Sequence, residues 1–215
     1  MPARFVELAA TPAWCAGAGA GARCSAARLL LGQCDAGADA RSRAEAIARS
    51  QAAEPPGRVI SGGRFTADAL HAALAAALPA ELRASLRSGF EWYGCRGAHF
   101  HTDAHYGDVL FGAWCLAGPP RSIAFSRAGL QVPAAVGDFV VFDPFEPHAV
   151  LDPGQARYAR SQYEQAAPSV FAGFELMLDA AARRAFGIAP LAQPARGMPE
   201  LSSRIAVNAE TGALG

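Results

Sequence analysis

The sequence contains no lysine; its 19 basic residues are all arginine and face 19 acidic ones. A formal net charge of zero supplies no field to draw in a phosphate backbone or an anionic membrane, so neither nucleic acid nor membrane is expected as a partner. No CxxC pair occurs among the five cysteines, Cys15, Cys24, Cys34, Cys95 and Cys115. An odd number at irregular spacings argues against a zinc knuckle and a disulfide framework. No apolar run approaches the roughly 18 residues of a membrane span, and no basic segment leads into an apolar core at the N-terminus. The expectation is a reduced, cytoplasmic protein.

Alanine supplies much of the 52% hydrophobic content, so that figure overstates the core. The 215 residues suffice for one well-buried domain and would cramp a second. Residues 1–88 read as mainly helical. Ala26–Leu31 is a possible short helix after a Gly/Ala loop at 17–21, and Asp39 can cap a helix running to Gln51. Arg58–Ser61 is a possible strand closed by Gly62-Gly63. Thr66 can cap a helix bearing Leu70, Leu74 and Leu78, and Pro79 can begin a further helical piece carrying Leu82 and Leu86. From Gly89 the texture changes to short aromatic and β-branched runs between Gly/Pro turns: 90–93, 109–116, 122–125, 129–132 and 139–142, with 157–163 and 169–178 as further candidates. A helix capped by Asp179 and ended by Gly187 follows, then a tail in which Ser203–Asn208 can return as an edge strand. The expected fold is mainly β with flanking helices, a sandwich or jelly roll over 89–178 buttressed by the N-terminal helices, with 179–215 as C-terminal helix and tail.

Three of the five histidines fall in one short stretch, Gly97-Ala-His99-Phe-His101-Thr-Asp103-Ala-His105-Tyr-Gly107, with a carboxylate between two of them. A fourth, His148, ends the run Gly137-Asp-Phe-Val-Val-Phe-Asp-Pro-Phe-Glu-Pro-His148. Imidazoles and a carboxylate in this pattern point to a divalent metal. His99, His101, Asp103 and His105 alternate, so one face of an extended strand carries all four. At about 3.3 Å per residue, however, His99 and His105 would lie roughly 20 Å apart. One ion must therefore take an adjacent pair plus His148, unless the chain bends sharply after Asp103. Two sets make chemical sense: His101, Asp103 and His148 as two imidazoles and a carboxylate on one face of an iron, or His99, His101 and His148 with His105 as a fourth ligand. Trp114 and Tyr93 read as core aromatics, Asp138 and Asp143 as turn residues without a catalytic role, and Glu146 as an exposed carboxylate beside the site.

His101-Thr-Asp103, the strand after it, and the Gly137-Asp run ending in Pro147-His148, 45 positions beyond Asp103, together resemble the HxD…H core of Fe(II)/2-oxoglutarate-dependent dioxygenases. The resemblance implies a double-stranded β-helix (jelly roll) holding Fe(II) through His101, Asp103 and His148. It also implies 2-oxoglutarate as co-substrate, its far carboxylate met by an arginine on a following strand, Arg157 or Arg160, with Arg127 or Arg96 as alternatives. A guanidinium suits that role because two parallel charge-assisted bonds fix a carboxylate's orientation. The implied reaction consumes O2, hydroxylates a small molecule or an amino-acid or peptide substrate, and releases succinate and CO2. The same segments also resemble cupin motifs, with His105 where that family carries Glu. That alternative is a metal-dependent dioxygenase or isomerase that does not use 2-oxoglutarate; a jelly-roll module that binds a ligand without turnover is a third.

Overall fold

The computed structural model describes residues 2–8, 15–16, 23–103, 105–191, 200–201 and 206–215. In chain order the strands are β1 (Arg4–Glu7), β2 (Cys15–Ala16), β3 (Arg23–Cys24), β4 (Arg28–Gln33) and β5 (Ile60–Thr66). They continue as β6 (Leu86–Cys95), β7 (Ala98–His101), β8 (Val109–Ala117), β9 (Arg121–Phe125), β10 (Leu130–Ala134), β11 (Asp138–Phe142), β12 (His148–Leu151), β13 (Ser169–Met177) and β14 (Glu200–Leu201). The helices are α1 (Gly37–Ser50), α2 (Asp68–Ala77) and α3 (Ala180–Phe186).

A seven-stranded sheet, β1-β4-β11-β8-β13-β6-β5, packs against a four-stranded one, β10-β9-β12-β7, and β14-β2-β3 form a small third sheet. From β6 onward the chain crosses back and forth between the two main sheets, with β6, β8, β11 and β13 in the large one and β7, the hairpin β9–β10 and β12 in the small one. These eight strands pair antiparallel throughout, the winding of a jelly roll. The chain is mainly β, and this strand order makes it a double-stranded β-helix.

Side chains on β8, β11 and β13 alternate between two cores, as a period of two residues requires. Leu110, Trp114, Phe139, Val141, Phe174 and Leu176 face the helices with Leu74 and Phe186. Phe111, Cys115, Val140, Phe142 and Phe171 face the other sheet with Ile123, Phe125 and Val150. Both faces of the large sheet are therefore buried, which explains why these strands read as nearly unbroken apolar runs.

The same fact overturns the helix expected at Ala26–Leu31. That segment enters β4, between β1 and β11, with Leu29 in the inter-sheet core and Leu30 in the helix-side core. Three consecutive leucines suit a central strand buried on both faces, and that burial overrides their helix propensity. Gly62-Gly63 does not close a strand. It forms a bulge within β5, with Gly63 at φ +94°. Thr66 ends β5 rather than capping α2, whose N-cap is Ala67. Asp39 lies inside the first turn of α1, and Asp35 takes the backbone N–H of Gly37 at 2.9 Å. Leu86 begins β6, and residues 157–163 form no strand: Arg160–Tyr163 is a 3-10 turn. Asp179 caps α3 by accepting from the Ala182 N–H at 2.9 Å, and Gly187 ends it at φ +68°, as expected. Residues 17–21 and 203–205 lie outside the described residues; Val207 forms a bridge with Leu214. Among the described residues no helix is long and apolar enough to cross a membrane.

Candidate metal centre

Strands β7 and β12 are antiparallel neighbours, and their register sets His101 directly opposite His148. The two imidazoles lie with ring centroids 4.4 Å apart. The chain leaves β7 at once and bends: the Asp103 N–H donates to the Pro144 carbonyl at 2.7 Å, and the Tyr106 N–H to the Asp103 carbonyl at 3.0 Å. That bend swings the Asp103 carboxylate back to the histidines, 3.5 Å from His148 Nε2 and 4.0 Å from His101 Nε2. The ligand-type atoms of the three residues all lie within 4.8 Å of one another. Ligands bonded at about 2 Å to one ion are about 3–4 Å apart, so a small contraction completes a mononuclear set.

Backbone carbonyls orient both rings. His101 Nδ1 lies 2.8 Å from the His99 carbonyl, and His148 Nδ1 lies 2.8 Å from the Glu146 carbonyl. A carbonyl only accepts, so each Nδ1 carries the proton and each Nε2 presents a lone pair to the common centre. Burial, reinforced by the neighbouring His148, lowers the His101 pKa to about 4, which keeps that ring neutral and able to bind metal. Burial alone would raise the Asp103 pKa, but the imidazoles around its carboxylate, His148 first and then His101 and His105, outweigh it. The net direction is downward, and Asp103 stays ionised.

The triad stands in the wall of a cavity of about 480 Å³ between the two sheets. Phe111, Ile123, Phe142, Val150 and Phe171 give it an apolar lining, and Phe142 lies edge-on to His148 at 4.6 Å. Cys95 also lines it, but burial pushes its thiol up to about 12, so it stays protonated and is no thiolate ligand. Tyr93 and Tyr106 join hydroxyls at 3.1 Å beside the triad, and burial drives the Tyr93 phenol above its ordinary range.

His99 and His105 line the same cavity but stand outside the converging set. The two arginines expected for a co-substrate are elsewhere. Arg157 is exposed and meets Glu210 at 3.5 Å, Arg160 is exposed at the start of a 3-10 turn, and neither lines the cavity. The cause is local, because the segment expected to bring Arg157 back on a strand is a surface loop. Of the alternatives, Arg96 donates to the Glu164 carbonyl at 3.1 Å, and neither it nor Arg127 lines the cavity. Among the described residues the cation lining the cavity is Arg58, on the segment Gly57–Val59. The Gly57 N–H and carbonyl pair with Gly97 and His99, which ties that segment to the edge of β7. Nothing in the sequence around Arg58 signals this position. Glu146 is buried, not exposed, and Asp143 forms a buried ion pair with Arg23 that turn composition alone did not reveal.

No protein-family model matches this sequence, and no curated protein matches it. Seven chains of solved structure do. One is the crystal structure of a Pseudomonas putida prolyl-4-hydroxylase, 17% identical, with the match covering 69% of this chain and 92% of that one at a TM-score of 0.38.

Proposed function

We propose that the chain is a mononuclear non-haem Fe(II) oxygenase, an oxidoreductase that uses O2 to oxidise a small-molecule or peptide substrate. One observation carries this reading: two imidazole lone pairs and one carboxylate converge within 4.8 Å at a mostly apolar cavity inside a jelly roll. Two histidines and a carboxylate form a donor set suited to Fe(II), with no thiolate to draw in softer metals. When bound, Fe(II) held by three protein ligands keeps open positions for O2 and an organic chelate and supplies the redox chemistry.

The protein groups have distinct tasks. His101 and His148 hold their Nε2 lone pairs towards the centre because their Nδ1 protons are committed to the His99 and Glu146 carbonyls. Asp103 supplies the anionic ligand. Phe111, Phe142 and Phe171 exclude water from the space beside the triad.

2-Oxoglutarate, the co-substrate implied by the sequence resemblance, fits only in part. One end can chelate the metal, but the far carboxylate needs a cation, and the inner wall offers none among the described residues. Among the described residues that line the cavity the one arginine is Arg58, on an exposed segment at the rim. The apolar wall favours a second reading, a cupin-like oxygenase whose organic substrate itself chelates the iron. Anaerobic titration with Fe(II), with and without 2-oxoglutarate, tests both. One tight equivalent of Fe(II) is expected, and loss of binding in Asp103→Ala but not in His99→Ala. A visible charge-transfer band with 2-oxoglutarate, followed by succinate formation once O2 is admitted, would select 2-oxoglutarate as co-substrate, and the absence of both with iron bound would select the second reading. A chain that takes up no divalent metal would overturn the oxygenase assignment.

A further inference from the structure

We propose that the buried Arg23–Asp143 ion pair is a positioning device for the metal centre, acting through the turn Asp143–Glu146, whose carbonyls hold Asp103 and His148. The inference rests on reading the triad as a metal site. Arg23 belongs to β3, outside the eight strands of the jelly roll, and is 120 positions away from its partner. Its guanidinium makes two bonds to the Asp143 carboxylate, 2.6 and 2.9 Å long. Both side chains are enclosed, 4% and 2% exposed. The same carboxylate accepts the Ala26 N–H at 3.1 Å and the Phe145 N–H at 3.2 Å, and the Arg23 guanidinium lies over the Phe145 ring at 5.3 Å. The Glu146 N–H closes the turn on the Asp143 carbonyl at 2.9 Å.

Two ligands of the triad hang on this turn. The Pro144 carbonyl accepts the Asp103 N–H at 2.7 Å and so makes the bend that returns the carboxylate to the histidines. The Glu146 carbonyl accepts from His148 Nδ1 at 2.8 Å and so fixes the tautomer that leaves Nε2 free. A shift of this turn moves a carboxylate and an imidazole together. His101, by contrast, takes its orientation from His99 on its own strand. A buried ion pair is a weak source of net stability compared with apolar residues of the same shape, so its presence here points to geometry. The bidentate fork adds to that argument, because it fixes orientation as well as distance.

The test uses the full chain and Co(II) as the metal probe, read by its visible d–d bands and by competition with a chelator. The double variant Arg23→Met/Asp143→Leu replaces both charges by apolar groups and leaves no lone buried charge. It is expected to fold, as read by circular dichroism, to bind Co(II) about 10–100-fold more weakly, and to show an altered d–d envelope. Arg23→Lys, which keeps the charge but loses the fork, should recover part of that loss. A comparison variant, Arg121→Met/Asp152→Leu, removes a different ion pair and should leave the Co(II) spectrum and affinity as in the parent chain. Loss of affinity in both double variants to the same extent would overturn the proposal, since the effect would then be general destabilisation. Imidazole 15N shifts in the metal-free chain give a second readout. His148 should be the Nδ1–H tautomer in the parent chain and a tautomer mixture in Arg23→Met/Asp143→Leu. Retention of the parent tautomer and affinity in that variant would overturn it too. If the parent chain binds no Co(II) but the variant still loses the tautomer, the positioning role stands and the metal reading falls.

Discussion

Strands β9 and β12 run side by side from one end of the barrel to the other, and the two ends handle polar groups in opposite ways. At one end His148 lies opposite both Phe125 and His101, and two bare Nε2 atoms face a carboxylate. At the other, Arg121 is paired with Asp152, also donates to the Ala167 carbonyl at 3.0 Å, and lies over the Tyr163 ring at 5.4 Å. The Tyr163 hydroxyl in turn accepts the Asp152 N–H at 2.9 Å. The second cluster closes on itself, cation against anion. The first gathers only acceptors around one point, which is costly unless something positive fills it. At the Arg121 end the charges are matched within the chain, whereas at the triad end lone pairs converge on a space.

The comparison breaks most readily at the triad. Asp103→Ala, His101→Ala or His148→Ala should each lower Fe(II) or Co(II) affinity by about 100-fold or more, because on the proposed reading each removes a direct ligand and not a supporting group. The metal-free fold should lose little, and isothermal titration beside a urea melt would separate the two effects. The opposite pattern is expected at the other end. Asp152→Ala leaves the almost fully enclosed Arg121 guanidinium without its half-exposed anion, at a cost of about 1–2 kcal/mol in a urea melt, with metal affinity unchanged. Equal effects on stability and metal binding at both ends would erase the distinction.

The sequence reveals the first end far better than the second. His101, Asp103 and His148 are residue types that seldom alternate in or end apolar strands without a partner, so their spacing carries chemical meaning by itself. Six of the eight core strands show through aromatic and β-branched runs between glycine and proline turns; β7 and β12, short and carrying His101 and His148, are not among those runs. What stays hidden depends on partners distant in the chain. β4 carries no alternation because both of its faces are buried, so its leucines read equally well as a helix. Arg23 and Asp143 lie 120 positions apart, and neither neighbourhood signals the other. Straight-strand geometry correctly limits the cluster at 99–105 to one adjacent pair. The bend at Thr102–Asp103 depends on the Pro144 carbonyl, contributed from beyond four intervening strands of the chain. Arg157 misleads because strand periodicity is weakest where a surface loop holds a few apolar residues.

Acid should act on the triad end with a definite sign. The His101 pKa falls from 6.5 to about 4 on folding, so between those values the unfolded chain binds the proton and the folded chain does not. Stability of the metal-free protein therefore falls as pH drops from about 6.5 towards 4, by at most about 3 kcal/mol, the side chain being roughly a quarter exposed. Asp103, whose pKa is lowered in the fold, adds a loss of the same sign at still lower pH. Urea melts between pH 7 and 4 would show the decline, and His101→Gln should flatten its upper part. An unchanged slope in that variant would assign the acid sensitivity to groups outside the triad.

The smallest effect is expected at Arg157, which sequence resemblance favours as a co-substrate ligand and geometry does not. Its partner is Glu210 at 3.5 Å, with the two side chains 68% and 67% exposed, and an ion pair so open to water contributes under about 1 kcal/mol. Arg157→Ala should leave stability, Co(II) affinity and the response to 2-oxoglutarate within error of the parent chain. Arg58→Ala is the informative partner variant. Arg58 lines the cavity rim, and the Gly57 backbone beside it is tied to β7 next to His99, so a carboxylate reaching out from the metal would meet this guanidinium before any other described one. Loss of that contact should weaken a carboxylate ligand about 3–10-fold, in keeping with a single charge-assisted bond at a solvent-exposed site. If Arg157→Ala weakens 2-oxoglutarate and Arg58→Ala does not, the loop carrying Arg157 must close over the cavity when ligand binds. The contrast between an apolar interior and a charged rim would then describe only the ligand-free chain.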